Sequence, residues 1–152
     1  MTNPNSNSLD VSSREPGWQK RYLYLIDEEL SKPFSWVDSH CVDLMAAAVE
    51  ACYGPSHPAL TDIPRFKTAE ETMAELEKRG GLEAILDELF TIIPTTHAFQ
   101  ADIGLLKNEA TGEMAGTVVV DGMLVGKHPP TVRASRHVFR LPISLAYKIY
   151  RV

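Results

Sequence analysis

The sequence has little that would staple, anchor or export it. Only two of its 152 residues are cysteine. A chain of this length buries about 68–70% of the surface it would expose unfolded, so a disulfide-stapled miniprotein is excluded and the core needs no metal. No apolar run approaches the roughly 20 residues of a spanning helix. The opening MTNPNSNSLDVSS is polar and has no hydrophobic segment, so no secretory signal is expected and synthesis belongs in a cytoplasm. Gly112, Gly116, Gly122 and Gly126 form no phosphate loop, because none is followed by a helix start. Cys41 and Cys52 lie 11 residues apart. In one helix that spacing is about 16 Å, too far for a disulfide, so both read as free thiols.

What is present is an ordinary soluble composition, 44% apolar and 23% charged, with 15 basic against 20 acidic residues and a net charge of -5. The charge is unevenly placed. Residues 61–90 hold eight acids against four bases, whereas residues 121–152 hold Asp121 against Lys127, Arg133, Arg136, Arg140, Lys148 and Arg151. A basic end can line a nucleic-acid groove, but this one has only Phe139 as an interleaved aromatic and is interrupted by Pro129 and Pro130. It reads instead as a solvated face or a docking surface for an acidic partner, with no nucleic acid and no membrane insertion expected.

Residues 1–16, with three Asn, four Ser and two Pro, have little to bury and are expected to form a flexible arm that orders on a partner. Residues 17–152 are then a single domain. Trp18, Tyr22, Ile26 and Leu30, with Leu23 beside them, predict a first helix that stops at Lys32-Pro33. Phe34 to Ser39 is a short aromatic-anchored loop. Cys41, Leu44, Met45, Ala48, Val49 and Cys52 predict a second helix from about His40 to Ala51, capped by Asp38 or Ser39 and closed by Gly54-Pro55. Thr68-Ala69-Glu70-Glu71 is a capping box that opens a third helix ending at Gly80-Gly81, and Leu82, Ile85, Leu86 and Leu89 make a short fourth. Trp18, Tyr22 and Trp36 are expected in the core.

Beyond Pro94 the apolar period changes to two, or to continuous runs, at 102–106, 117–120, 123–125 and 136–141. Asp121-Gly122 between two of these runs signals a hairpin. Helices first and strands after predict an α+β fold, with one helix layer on one face of an antiparallel sheet.

The chemistry concentrates at Phe34 to Cys41. This segment delivers a cysteine to the first turn of a helix, where unpaired N–H groups and the helix dipole favour thiolate and are expected to lower its pKa. A helix-start cysteine backed by an antiparallel sheet is the layout of papain-like thiol enzymes, in which a histidine on a facing strand takes the proton. A plain core thiol is the other reading, since Cys41 is in line with Met45, Ala48 and Cys52.

Phe34-x-Trp36 before Cys41, Gly80-Gly81-Leu82, Ala101-Asp102-Ile103 and the closing Ala146-Tyr147-x-x-Tyr150-Arg151-Val152 together resemble an uncharacterised family of small phage and prophage proteins. That family looks like a branch of the NlpC-type, papain-like cysteine peptidases and amidases. The resemblance covers about residues 20–152 and implies a papain-like fold, Cys41 in the nucleophile position and Asp102 in the Gly-Asp pair that opens the first sheet strand. This sequence departs from the family pattern in four places. His40 stands for an Asp, Val37 for a Gly and Ala101 for a Gly, and the stretch Glu113 to Thr117, where an active enzyme carries its histidine, has no imidazole.

The five histidines can be tested against the geometry that a displaced base needs. His40 adjoins Cys41 and points about 100° away on a helix; His57 lies in a Pro-rich loop; His97 precedes the first strand. His128 and His137 are the ones on the sheet half that can face the helix end. They complete the candidate catalytic set of Cys41, His128 and His137. No cofactor is expected, and no zinc-ligand spacing occurs.

The expectation is therefore a virion protein of a phage tail tip or baseplate, on a catalytically degenerate papain-like scaffold, whose partners are other tail subunits. Its alternative is an active cysteine peptidase or amidase acting on peptidoglycan with Cys41 and a displaced histidine.

Overall fold

The structure, a computed structural model, describes residues 11–33, 41–62, 68–127 and 138–152. Residues 1–10, the segment from Phe34 to His40 with Trp36, and the stretch 128–137 with His128 and His137 lie outside the described residues.

The first helix, α1 (Trp18–Ser31), buries Trp18, Tyr22 and Ile26 at four-residue spacing. Leu23 faces solvent at 48% exposure, one position off that stripe. The Tyr22 hydroxyl is taken out of water and donates to the Val119 carbonyl at 2.7 Å, so α1 is pinned to the sheet by a polar bond inside an apolar contact.

The second helix, α2 (Cys41–Tyr53), is the centre of the molecule. Ten of its 13 residues are buried, so the expected one-sided stripe is in fact a helix enclosed almost all round. The run Ala46-Ala47-Ala48 makes this possible, because methyl side chains let α1 and the sheet approach closely from different sides. A short helix α3 (Ala59–Asp62) follows. Then α4 (Ala69–Lys78) starts with the Thr68 hydroxyl accepting the Glu71 N–H at 3.1 Å. It ends with Gly81 N–H donating to the Leu76 carbonyl and Gly80 N–H to the Glu77 carbonyl, the paired closure that glycines after a helix allow. α5 (Leu82–Leu89) buries Leu82, Ile85 and Leu86.

Six antiparallel strands follow: β1 (Thr91–Ile93), β2 (Ile103–Lys107), β3 (Met114–Val120), β4 (Met123–Lys127), β5 (Val138–Pro142) and β6 (Lys148–Arg151), in the spatial order β1-β6-β2-β3-β4-β5. Asp121 (φ 49°) and Gly122 (φ 80°) make the β3–β4 turn, with the two positive φ values that a two-residue hairpin requires. The α+β fold is as the residue pattern predicts. Alternation sends Leu105, Val118 and Tyr150 toward the helices, and Val119, Leu124 and Ile149 to the opposite face, where a second small cluster with Ile93 forms.

Residues 11–16 belong to this packed structure, so the domain extends to the N-terminal side of Gly17. Val11 packs on the core, Arg14 is buried, and the Glu15 N–H donates to the Cys52 carbonyl at 2.7 Å. The segment's polar composition predicts an arm; the bonds of Arg14 and of the Glu15 amide hold it in place beside the apolar contact of Val11.

Candidate functional site

α2 and β3 run side by side in the same direction, and the polar chemistry of the domain is divided between their two ends. Cys41 opens α2 and is half-buried. Facing its sulfur is the Gly116 backbone N–H at the start of β3, with the Val42 N–H and its own N–H also directed at it. Helix-start geometry predicts a lowered thiol pKa. Burial instead pushes the Cys41 thiol up, the nearby Asp43 carboxylate adds to the rise, and the three N–H groups only oppose it.

Gly116 has a packing reason to be glycine. A Cβ there would lie 2.7 Å from Met45 Sδ, so the thioether occupies the space that a side chain at this strand position would need. Between Met114 and Thr117 the strand beside Cys41 therefore offers a backbone amide and no imidazole. On the same side of the molecule the Lys127 ammonium, 5% exposed, donates to the Glu29 carbonyl at the end of α1. Its removal from water lowers the lysine pKa, while Glu29 and Asp43 raise it.

Asp102 lies at the opposite end. It sits near Cys52, 11 residues along α2 from Cys41, a helical distance of about 16 Å. The two residues implied by the resemblance are thus not brought together. Asp102 is the hub of a buried ion cluster. Arg14 Nη2 donates to its Oδ1 at 2.9 Å, Arg151 Nε to Oδ2 at 3.1 Å, the Phe99 N–H to Oδ2 at 2.9 Å and the Val152 N–H to Oδ1 at 3.1 Å. Burial raises the Asp102 carboxyl, while Arg151, the Phe99 amide, Arg14 and the Val152 amide pull against that rise. Every one of these partners is a donor, which is the geometry of an ionised carboxylate.

Ala101, just before it, is completely buried with φ 71°. That is a backbone position glycine adopts freely and alanine at a cost of about 1–2 kcal/mol. Sequence reading noted Asp102 but missed Arg14 and Arg151 as its partners. Nothing in the local composition around Arg14 marks a buried guanidinium.

The described histidines serve elsewhere. His57 Nδ1 accepts the Ala59 N–H at 3.1 Å and its ring lies against Tyr53, past the far end of α2 from Cys41. His97 is exposed and contributes its carbonyl to Arg151 Nη2 at 2.8 Å. His128 and His137, with Cys41 the candidate catalytic set, lie outside the described residues, as does His40. Among the described residues no group of three or more His, Cys, Asp or Glu is placed to hold a metal ion. An open groove of about 340 Å³ lies between α1 and the end of α2, lined by Glu15, Arg21, Tyr24, Leu25, Glu50 and Pro55, again at the end away from Cys41.

Among the described residues, three of the four bases at this end of the sequence are spent within the fold. Lys127 holds the end of α1, Arg151 holds Asp102, and Lys148 bonds Glu83 at 2.8 Å and Asp87 at 3.1 Å on α5. Lys148 holds the Glu83 carboxyl below its ordinary value, and the Tyr150 hydroxyl at 2.6 Å, helped by Lys148, does the same for Asp87. Of the six bases, Arg140 is the described one left exposed. No helix among the described residues is long and apolar enough to cross a membrane.

Residues 13–152 match the family model described as a domain of unknown function, DUF6950, and the chain belongs to that family. No curated protein and no solved structure matches it.

Proposed function

We propose that the chain is a structural component of a bacteriophage tail tip or baseplate, built on a papain-like scaffold that has lost its catalytic pair and binds neighbouring tail subunits. The observation that carries this reading is the environment of Cys41. The cysteine stands at the start of the central helix, beside the start of a sheet strand, where a papain-like nucleophile would stand. Yet the strand meets it with the Gly116 amide, Met45 fills the adjoining space, and burial raises the thiol. A nucleophilic thiol needs the opposite: a lowered pKa and a base within hydrogen-bond reach. Fold likeness does not transmit activity, so the scaffold carries no catalytic claim.

The reading places the protein in the virion, after synthesis in the host cytoplasm. Immunodetection of this chain in purified phage particles and in tail-free heads tests it. Signal in complete particles and not in heads is the expected result; signal in neither overturns it.

One observation favours the alternative of an active peptidoglycan peptidase. The backbone N–H groups of Gly116, Val42 and Cys41 each act to lower the Cys41 pKa and so favour its thiolate. That enzyme would draw its base from His128 or His137.

A further inference from the structure

The contacts of Arg14 form a complete recognition site for a guanidinium group. All three of its nitrogens are used on three different acceptors: Nε donates to the Val152 main-chain oxygen at 3.0 Å, Nη1 to the Gln100 carbonyl at 2.6 Å, and Nη2 to Asp102 Oδ1 at 2.9 Å. The guanidinium carbon stands 4.4 Å from the Trp18 ring centroid and 6.0 Å from that of Phe99. Planar donors in a fork, a carboxylate and two main-chain oxygens to receive them, and aromatic faces for the flat cation are the elements by which proteins select arginine over lysine.

The walls of this socket belong to the body of the domain, and only the occupant belongs to the strap of residues 11–16. Asp102 is held by Arg151 and by the Phe99 and Val152 amides, independently of Arg14. The loop carrying Phe99 and Gln100 is tied down separately. Gln100 Oε1 accepts the Asp121 N–H at 2.7 Å, and the Ala101 N–H donates to the Val119 carbonyl at 3.0 Å. The strap joins α1 through Pro16 and Gly17, whose φ of 79° turns the chain sharply between the two. A pre-formed site and a short, hinged occupant are the two parts of a ligand held in cis.

We infer that the Asp102, Gln100, Val152, Trp18 and Phe99 socket is an arginine-binding site, filled here by Arg14 as a tethered ligand, and that it accepts a free guanidinium group when Arg14 is removed. This stands whether or not the chain is part of a phage tail. The Arg14→Ala variant of the full chain tests it, titrated with methylguanidinium or with methylammonium at equal ionic strength and millimolar concentration.

The expected result is a lowered thermal midpoint in the variant, regained saturably with methylguanidinium and unaffected by methylammonium, with no rise for either cation in the unaltered protein. Absence of recovery, equal recovery with both cations, or an equal rise in the unaltered protein overturns the proposal. Should the variant not fold in buffer, its refolding yield is the readout. A yield raised by methylguanidinium alone supports the socket, and a yield indifferent to it overturns the socket.

Discussion

Arg14 and Asp102, 88 residues apart in the chain, meet at 2.9 Å with both side chains fully buried. Their bond ties the N-terminal strap to the start of β2. The strap, through the Glu15 N–H on the Cys52 carbonyl, and α1, through Arg21 Nε on the Ala51 carbonyl, also satisfy the last turn of α2, whose carbonyls have no partner within the helix.

Removing the carboxylate charge leaves two buried guanidinium groups without their counter-ion. Asp102→Asn is therefore expected to lose about 3–5 kcal/mol of folding stability, the range for breaking a buried ion pair from one side. Urea denaturation measures it. A loss below about 1 kcal/mol would mean that the cluster is hydrated and only loosely formed.

Cys52 gives a pH signature with a definite sign. Burial pushes its thiol from 9.0 up to about 11, so the unfolded state loses its proton first as the solution becomes alkaline. The stabilising contribution is complete below pH 9.0 and is lost as pH rises through about 11. Two pH units correspond to about 2–3 kcal/mol. Cys52→Ala should remove that part of the alkaline decline, which a stability profile of both proteins would show; identical slopes would contradict it.

At the other end of α2, Gly116→Ala places a methyl group 2.7 Å from Met45 Sδ. Because the obstacle is the end of a flexible side chain, the cost is expected near the lower end of the overpacking range, about 1 kcal/mol. Combined with Met45→Ala, the clash disappears and the double variant should be more stable than the sum of the two single losses predicts. Strict additivity would show that the two residues do not compete for this space.

Ala101 carries backbone strain that a larger residue cannot. With φ 71° and no exposure, Ala101→Val adds a β-branched side chain to a left-handed position inside the core. A loss of about 2 kcal/mol or more is expected from the combined strain and overpacking. Thermal unfolding with an unchanged midpoint would mean the loop relaxes to negative φ.

Elements with local signals were legible in the sequence. Trp18, Tyr22 and Ile26 announce α1 by spacing; Thr68 and Gly80-Gly81 bracket α4; Asp121-Gly122 marks the hairpin. β1 and β6 were not legible. Thr91 to Ile93 is too short to show a period, and Lys148 to Arg151 becomes a strand because it pairs with β1 on one side and β2 on the other, contacts distant in sequence. Cys41 at a helix start could be read from its neighbours, but its raised pKa could not, since it follows from burial by the rest of the domain. Arg14 was hidden for the same reason: its partners lie near the other end of the chain.

On the function proposed above, Cys41 stands in a nucleophile's place and does not act as one. Muropeptide release from purified peptidoglycan, compared between the protein and its Cys41→Ser variant from mildly acidic to mildly alkaline pH, decides the matter. No release from either is expected, together with slow alkylation of Cys41 at neutral pH. Release by the unaltered protein that disappears in Cys41→Ser would contradict it and identify a working cysteine peptidase or amidase.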